Sequence, residues 1–276
     1  MASSFGAARG RAAFRAFAAA ALMAASGVQP LAAQSADSTR FKHVFASTDA
    51  YVVGGFTLAL LAARPLDARV TAKMQQPAWQ ANKYAGRGST VVRLLAVPGT
   101  LVGGAVAYGY GRATHDPTIS RVALHSVEAV VVNGIVTNAG KVVAGRARPY
   151  KDVNNPHDFK LFRGWRNPDY QSFPSGHTSS AFAMAAALTA EAGVYHPKQR
   201  WIVGGVTYTL ASLTGISRMY NNKHWASDVV AGAAIGTVTG LTVVRYNYIH
   251  RGNTVDRHLV PKNRTGIPIV ISIPAP

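Results

Sequence analysis

Long apolar stretches alternate along the chain with short charged or turn-forming clusters. Six of the stretches have helical length, near residues 47–63, 88–111, 117–147, 178–195, 198–216 and 224–247. Their punctuation is that of helices. Asp116 can accept from the free N–H groups that open a helix, and Pro117 follows at the first helical position, where no N–H is needed. Pro197 reads as a second opener, just after a helix that stops at Tyr195-His196, and Pro98 as a kink within the second segment. Strand-like character is confined to the tail, where "GIPIVISIP" reads as a short terminal strand or an extended arm. No internal repeat or low-complexity linker divides the chain. The pattern predicts one all-α domain, a bundle of about six main helices.

Arg9, Arg11 and Arg15 precede the apolar "AFAAAALMAASGV", and the small residues "PLAAQSA" follow. This has the form of a secretory signal peptide cleaved near Ala33, because the apolar core is too short and Ala-rich to suit an uncleaved anchor. A leader over residues 1–33 and a helical domain over 34–276 are therefore expected, with export to the periplasm or cell envelope. Hydrophobic residues make up 48% and charged residues 14%, which suits either a membrane protein or a compact bundle of buried helices. The uncharged runs "WIVGGVTYTLASLTGI" and "VVAGAAIGTVTGLTVV" are sixteen residues each. A spanning helix needs about 20. The 117–147 segment also carries Arg121, His125, Glu128, Asn133, Asn138 and Lys141, and mean hydropathy is only +0.08. These features favour an exported bundle at a membrane surface, with a polytopic inner-membrane protein as the alternative.

The net charge of +18 rests on scarce acids, 11 against 29 Lys and Arg, and favours an anionic partner. The positive charges are scattered, without a dense run or an interleaved aromatic stripe, which argues against nucleic acid. There are no cysteines, so disulfides, thiolate zinc sites and cysteine nucleophiles are excluded. The pattern carries no signal of oligomeric state.

Three polar clusters interrupt the apolar segments. In "KVVAGRARP", residues 141–149, Lys141 and Arg148 are seven apart, about two turns, so a helix running that far puts both on one face. Arg146 falls well off that face and is expected to be peripheral, while Pro149 ends the helix. Taken alone, such cations are also explained by the helix dipole. In "SFPSGHTSS", residues 172–180, Pro174 and Gly176 shape a tight turn where a helix begins. Free N–H groups there, with no Cβ at Gly176, make an oxyanion or phosphate cradle. Thr178 or Ser179 could instead be an ordinary N-cap, with His177 an incidental surface residue. In "SRMYNNKHWASDVVAG", residues 217–232, His224 and Asp228 are spaced i, i+4, so the carboxylate can accept from one imidazole nitrogen and leave the other as a nucleophile. A capping pair or half a zinc site are the other readings, though zinc normally needs three protein ligands and none is at hand.

Taken together and in order, Lys141–Arg148–Pro149, Pro174–Ser175–Gly176–His177 and Ser217–Arg218–His224–Asp228 resemble the signatures of the type 2 phosphatidic acid phosphatase superfamily. That superfamily includes bacterial acid phosphatases and vanadium haloperoxidases, and the resemblance covers about residues 117–245. It implies an active site built from three motifs at helix ends and a metal-independent phosphatase working through a phosphohistidine. Lys141, Arg148, Ser175, Gly176 and Arg218 would bind the phosphoryl oxygens. His224 would attack, Asp228 would orient it, and His177 would protonate the leaving group and then activate water. The implied substrate is a phosphorylated small molecule or a lipid phosphate, and no cofactor is needed. Vanadate would enter only under the alternative of a haloperoxidase; a non-catalytic envelope bundle is the alternative from another class. The connection "YKDVNNPHDFKLFRGWRNPDYQS" reads equally as a loop at the pocket mouth, where substrate choice is made, or as a solvated connector.

Overall fold

The computed structural model describes residues 41–250 and 253–261. The leader and the tail strand expected from the sequence lie outside those residues. Eight helices of six residues or more follow one another: α1 (Ser47–Ala63), α2 (Asp67–Met74), α3 (Lys83–Ala113), α4 (Pro117–Ala144), α5 (Gly176–Tyr195), α6 (Arg200–Tyr220), α7 (Ala226–Ile249) and α8 (Thr254–Leu259). The fold is all-α among the described residues; its only β pairing there is an isolated antiparallel bridge between Arg146 and Phe159.

Local chemistry accounts for most of the helix ends. Asp116 Oδ1 accepts from Thr118 N (2.8 Å) and Ile119 N (3.0 Å), with Pro117 at the first position of α4. Pro98 lies inside α3 without ending it. Two ends differ from expectation. Pro197 does not open a helix: the chain turns through 197–199 and α6 starts at Arg200. And α4 stops at Ala144, not near Pro149, because Gly145 takes a left-handed φ of 55°. A Cβ at Gly145 would lie 1.9 Å from the Lys160 carbonyl oxygen, so only glycine makes that turn.

Helix α5 is the axis of the bundle and packs on α4, α6 and α7. Its Ala183, Ala186 and Ala187 are wholly inaccessible. Facing it, α7 presents Gly232, Gly236 and Gly240, one per turn. A Cβ at these positions would meet the Ser175, Ser179 and Ala183 carbonyl oxygens at 2.6, 2.1 and 2.4 Å. The two backbones are thus in direct contact, a closeness that small residues permit.

The distribution of polarity is inverted relative to a soluble bundle. Asn133, Thr137, Ser179, Ser180 and Glu191 are buried, whereas Leu94, Val102, Val106, Ile135, Ile202 and Leu210 are exposed. Helices α3, α4 and α7 are long and apolar enough to cross a membrane. At most half of the apolar stretch of each is buried within the bundle, which leaves apolar side chains facing outward. Such an arrangement suits lipid, where helices associate through small residues and internal polar bonds while apolar side chains face the acyl chains. It supports the membrane-embedded alternative over a bundle resting on a membrane surface.

Candidate active site

The three sequence clusters converge at one end of the bundle: the last turn of α4, the first turn of α5, and the turn joining α6 to α7. Lys141 comes from α4. Ser175 is the N-cap of α5 and Gly176 its first residue, so neither Thr178 nor Ser179 caps the helix. A Cβ at Gly176 would stand 2.9 Å from Lys141 Nζ. The ammonium therefore rests against the helix opening, beside first-turn N–H groups that have no intrahelical acceptor. Ser175 is buried; its N–H donates to the Asp228 carbonyl (3.0 Å) and its hydroxyl pairs with that of Thr178 (2.8 Å).

Arg148 does not reach the site along a helical face. The chain leaves α4 at Gly145, and the Arg148 N–H bonds the Asp169 carbonyl at 2.9 Å. Its guanidinium donates to the carbonyls of Pro168 (2.9 Å) and Lys223 (3.3 Å), which ties the 150–172 connection to the α6–α7 turn. Arg218, in the last turn of α6, is buried, and its Nε has no hydrogen-bond partner among the described residues. No ion pair among the described residues involves Lys141, Arg148 or Arg218.

His224 is buried and lies just outside α7, whose N-cap is Trp225. Its Nδ1 is 2.7 Å from the Ser172 carbonyl oxygen. A carbonyl only accepts, so Nδ1 carries the proton of the neutral ring and Nε2 keeps the lone pair. The direct Asp228 bond expected from i, i+4 spacing is not made, since Nδ1 and Asp228 Oδ2 are 3.7 Å apart. That spacing argument needs both residues in one helix, and His224 precedes it. Asp228 Oδ2 instead accepts from the Ser172 hydroxyl (2.5 Å) and the Trp225 N–H (2.9 Å), closing the first turn of α7. The carboxylate thus acts on His224 through charge and by holding Ser172.

Burial holds the His224 imidazole down to about 4, with Asp228 opposing and Arg148 and Lys141 adding to the depression. Burial likewise holds half-buried His177 down to about 3, reinforced by Arg218, His224, Lys141 and Arg93. Both rings are neutral near pH 7, surrounded by cations.

Sequence reasoning placed Arg146 at the periphery. It is instead 1% exposed, with its guanidinium 4.8 Å from the Phe159 ring centroid and 5.4 Å from that of Trp225. Nη1 donates to Asp228 Oδ1 (2.5 Å) and Ser227 Oγ (2.7 Å), and Nη2 to Asp67 Oδ2 (2.7 Å). Nε and Nη2 both bond the Pro156 carbonyl. The error followed from running α4 through to Arg148; Gly145 was the available signal. Arg93, on α3, was missed as well. It shares a helix stripe with buried Ser89 and Ala96, yet is itself exposed, and its charge bears on both His177 and Arg218. Nothing in the local sequence marked it.

The 150–172 connection packs against the C-terminal end of α4, where the Phe162 N–H donates to the Val143 carbonyl at 3.0 Å. Arg163 donates to the Gly145 carbonyl and to Asp158 and stacks on Tyr170, 3.7 Å from the ring centroid. An open cavity of about 430 Å³ lies on this loop, lined by Lys160, Leu161, Phe162, Arg163, Trp165 and Arg166, none of them a motif residue.

A sequence model of the PAP2 superfamily matches residues 122–251. Lipid A 1-phosphatase of Porphyromonas gingivalis is 38% identical over 133 residues, which is 48% of this chain and 25% of that protein. Undecaprenyl-diphosphatase of Sulfolobus acidocaldarius is 29% identical over 119 residues, 42% of this chain and 51% of that protein. The chain thus spans about half the length, or less, of these curated relatives. Among solved structures, a transmembrane PAP2-type phosphatidylglycerolphosphate phosphatase from Bacillus subtilis aligns with a TM-score of 0.52 at 20% identity, covering 71% of this chain and 96% of that one. That last likeness is one of fold.

Proposed function

We propose that this chain, whose residues 122–251 match the PAP2 superfamily, is a membrane phosphatase acting on lipid phosphates or diphosphates through a phosphohistidine. One observation carries this reading: Lys141, Arg148 and Arg218 converge without an acidic partner among the described residues, and Arg218 Nε is buried and unbonded. Buried donors are normally satisfied, so an unbonded Arg218 Nε beside two further cations is suited to an oxyanion.

In this mechanism Lys141, Arg148, Arg218 and the Gly176 N–H hold the non-bridging oxygens of the phosphoryl group, supplying the charge that a metal supplies elsewhere. His224 Nε2 attacks phosphorus as the bond to the ester oxygen breaks. The electron pair leaves with that oxygen, which takes a proton from His177. Neutral His177 then accepts a proton from water as the water attacks phosphorus; the P–N bond breaks and orthophosphate leaves. Burial, reinforced by neighbouring cations, holds His177 down to about 3, so the bound phosphate dianion is what lets it carry a proton at neutral pH. The names of the relatives support lipid phosphates and diphosphates as the substrate class.

The full chain, in detergent or vesicles, is to be assayed against p-nitrophenyl phosphate, phosphatidic acid and farnesyl diphosphate. Orthophosphate release undiminished by EDTA and an acid-labile phosphoenzyme are expected. His224→Ala should lose both, with turnover falling by about 10⁴-fold or more. Undiminished turnover in His224→Ala would sink the assignment.

A further inference from the structure

The residues that hold Asp228 in place extend beyond the matched segment. Asp67, the first residue of α2, is wholly buried and lies outside residues 122–251. Its Oδ1 accepts from the Ser227 N–H (2.8 Å), and its Oδ2 from the Ser227 hydroxyl (2.5 Å) and Arg146 Nη2 (2.7 Å). One guanidinium therefore lies between two buried carboxylates, Asp67 and Asp228, and one of those carboxylates is 3.7 Å from His224. Five donated bonds from Arg146, one each to Asp67, Asp228 and Ser227 and two to Pro156, and its two flanking rings, leave the guanidinium little freedom to reorient.

The charges matter as much as the geometry. A lone Arg146–Asp228 pair would be neutral and would offer His224 only a dipole. With Asp67 ionised, the triad carries one net negative charge in a region remote from solvent, where charge–charge interactions are weakly screened. Phosphorylation of Nε2 makes the ring of His224 cationic, because Nδ1 keeps its proton. The surplus negative charge is thus placed behind the group that becomes positive.

We propose that Asp67 is a positioning residue for the phosphohistidine step: through Arg146 it holds Asp228 and Ser172 behind His224, and it supplies the negative charge that the imidazolium of the covalent intermediate faces. This rests on the phosphohistidine reading above. It also means that a segment outside the matched region completes the site.

Asp67→Asn preserves the shape of the side chain and an acceptor for the Ser227 N–H while removing the charge. The informative quantities are kcat and the inhibition constant for orthophosphate, both on the full chain. A charge acting on the covalent step lowers kcat at least tenfold and leaves orthophosphate inhibition within threefold, or tighter, because the pocket becomes more positive. A role confined to packing would weaken both together, and that result, or a wild-type kcat, overturns the proposal. If Asp67→Asn fails to fold, Arg146→Lys serves instead: one ammonium cannot hold both carboxylates, so the same split is expected, and a wild-type kcat there is equally fatal. A wild-type enzyme that forms no phosphoenzyme while hydrolysing esters would remove the phosphohistidine reading and this proposal with it. A normal phosphoenzyme in both wild type and Asp67→Asn, at equal rates, would remove this proposal alone.

Discussion

Two buried polar clusters occupy opposite ends of the same helices, and they are built on opposite rules. At the candidate site, Lys141, Arg148 and Arg218 have no ion-pair partner among the described residues, and Arg218 Nε is left unbonded. At the far end, His125 of α4 lies between two acids, its Nδ1 2.6 Å from Glu191 Oε1 and its Nε2 3.2 Å from Asp256 Oδ1. Tyr248 donates to the other Glu191 oxygen at 2.7 Å. His125 and Lys141 are sixteen residues apart on α4, about 24 Å along its axis. The far cluster is internally satisfied and fastens α8 to the bundle. The near one leaves Arg218 Nε unbonded and three cations without an ion-pair partner among the described residues, an arrangement suited to an anion. Burial is common to both, so burial alone does not mark a functional site; the balance of donors and acceptors does.

Glu191→Ala should have the largest effect on stability. It leaves His125 and the Tyr248 hydroxyl buried without their shared acceptor, and a loss of about 3–5 kcal/mol is expected. Denaturant unfolding in detergent measures it. Activity per folded molecule should stay at the wild-type level, and a loss of kcat in the folded fraction would show that the two ends are coupled.

At the near end, Gly176→Ala should do the reverse. A methyl group 2.9 Å from Lys141 Nζ pushes the ammonium off the mouth of α5. A loss in kcat/KM of about tenfold is expected, since small misplacements of a positioning group are costly, with little change in unfolding. Equal kcat/KM in the two proteins would show that Lys141 is not held by that contact.

A further difference between the two ends concerns protons. His177 is held down to about 3 by burial and by neighbouring cations, so it is neutral in the empty site above that pH. A bound dianion favours the imidazolium, so its pKa rises in the complex and binding takes up a proton between the two values. Affinity must then fall as pH rises through that window, by at most tenfold per pH unit. Sulfate, which stays dianionic across it, is the suitable probe, with inhibition measured from pH 4 to 8. In His177→Asn the slope should flatten; an unchanged slope would assign the proton to another group.

Much of the fold was legible in the sequence because its determinants are local. The Asp116-Pro117 start of α4 is set by a side chain reaching its neighbours' N–H groups, and six helical segments follow from apolar runs of helical length. Two errors at the site share one cause, the extension of helical periodicity past a helix end. Lys141 and Arg148 were placed on one face of a helix that Gly145 terminates, and His224 was paired with Asp228 as though both lay in α7. The apolar runs were also judged too short to span a membrane. That judgement counted uncharged residues, whereas α3 and α4 carry their charges and polar groups toward the ends or the interior and present their apolar residues outward.

The helices, their order and the three motifs whose residues meet at the site are local properties of the chain, because caps, apolar runs and the spacing within each motif are written within a few residues of each other. The tertiary structure alone decided that Arg146 is central, that Asp67 reaches it across 79 positions of chain, and that Ser172, not Asp228, receives the His224 proton bond. Those relations depend on which backbones come into contact, and contact between α5 and α7 is settled by glycines that no local pattern ties to the residues they bring together.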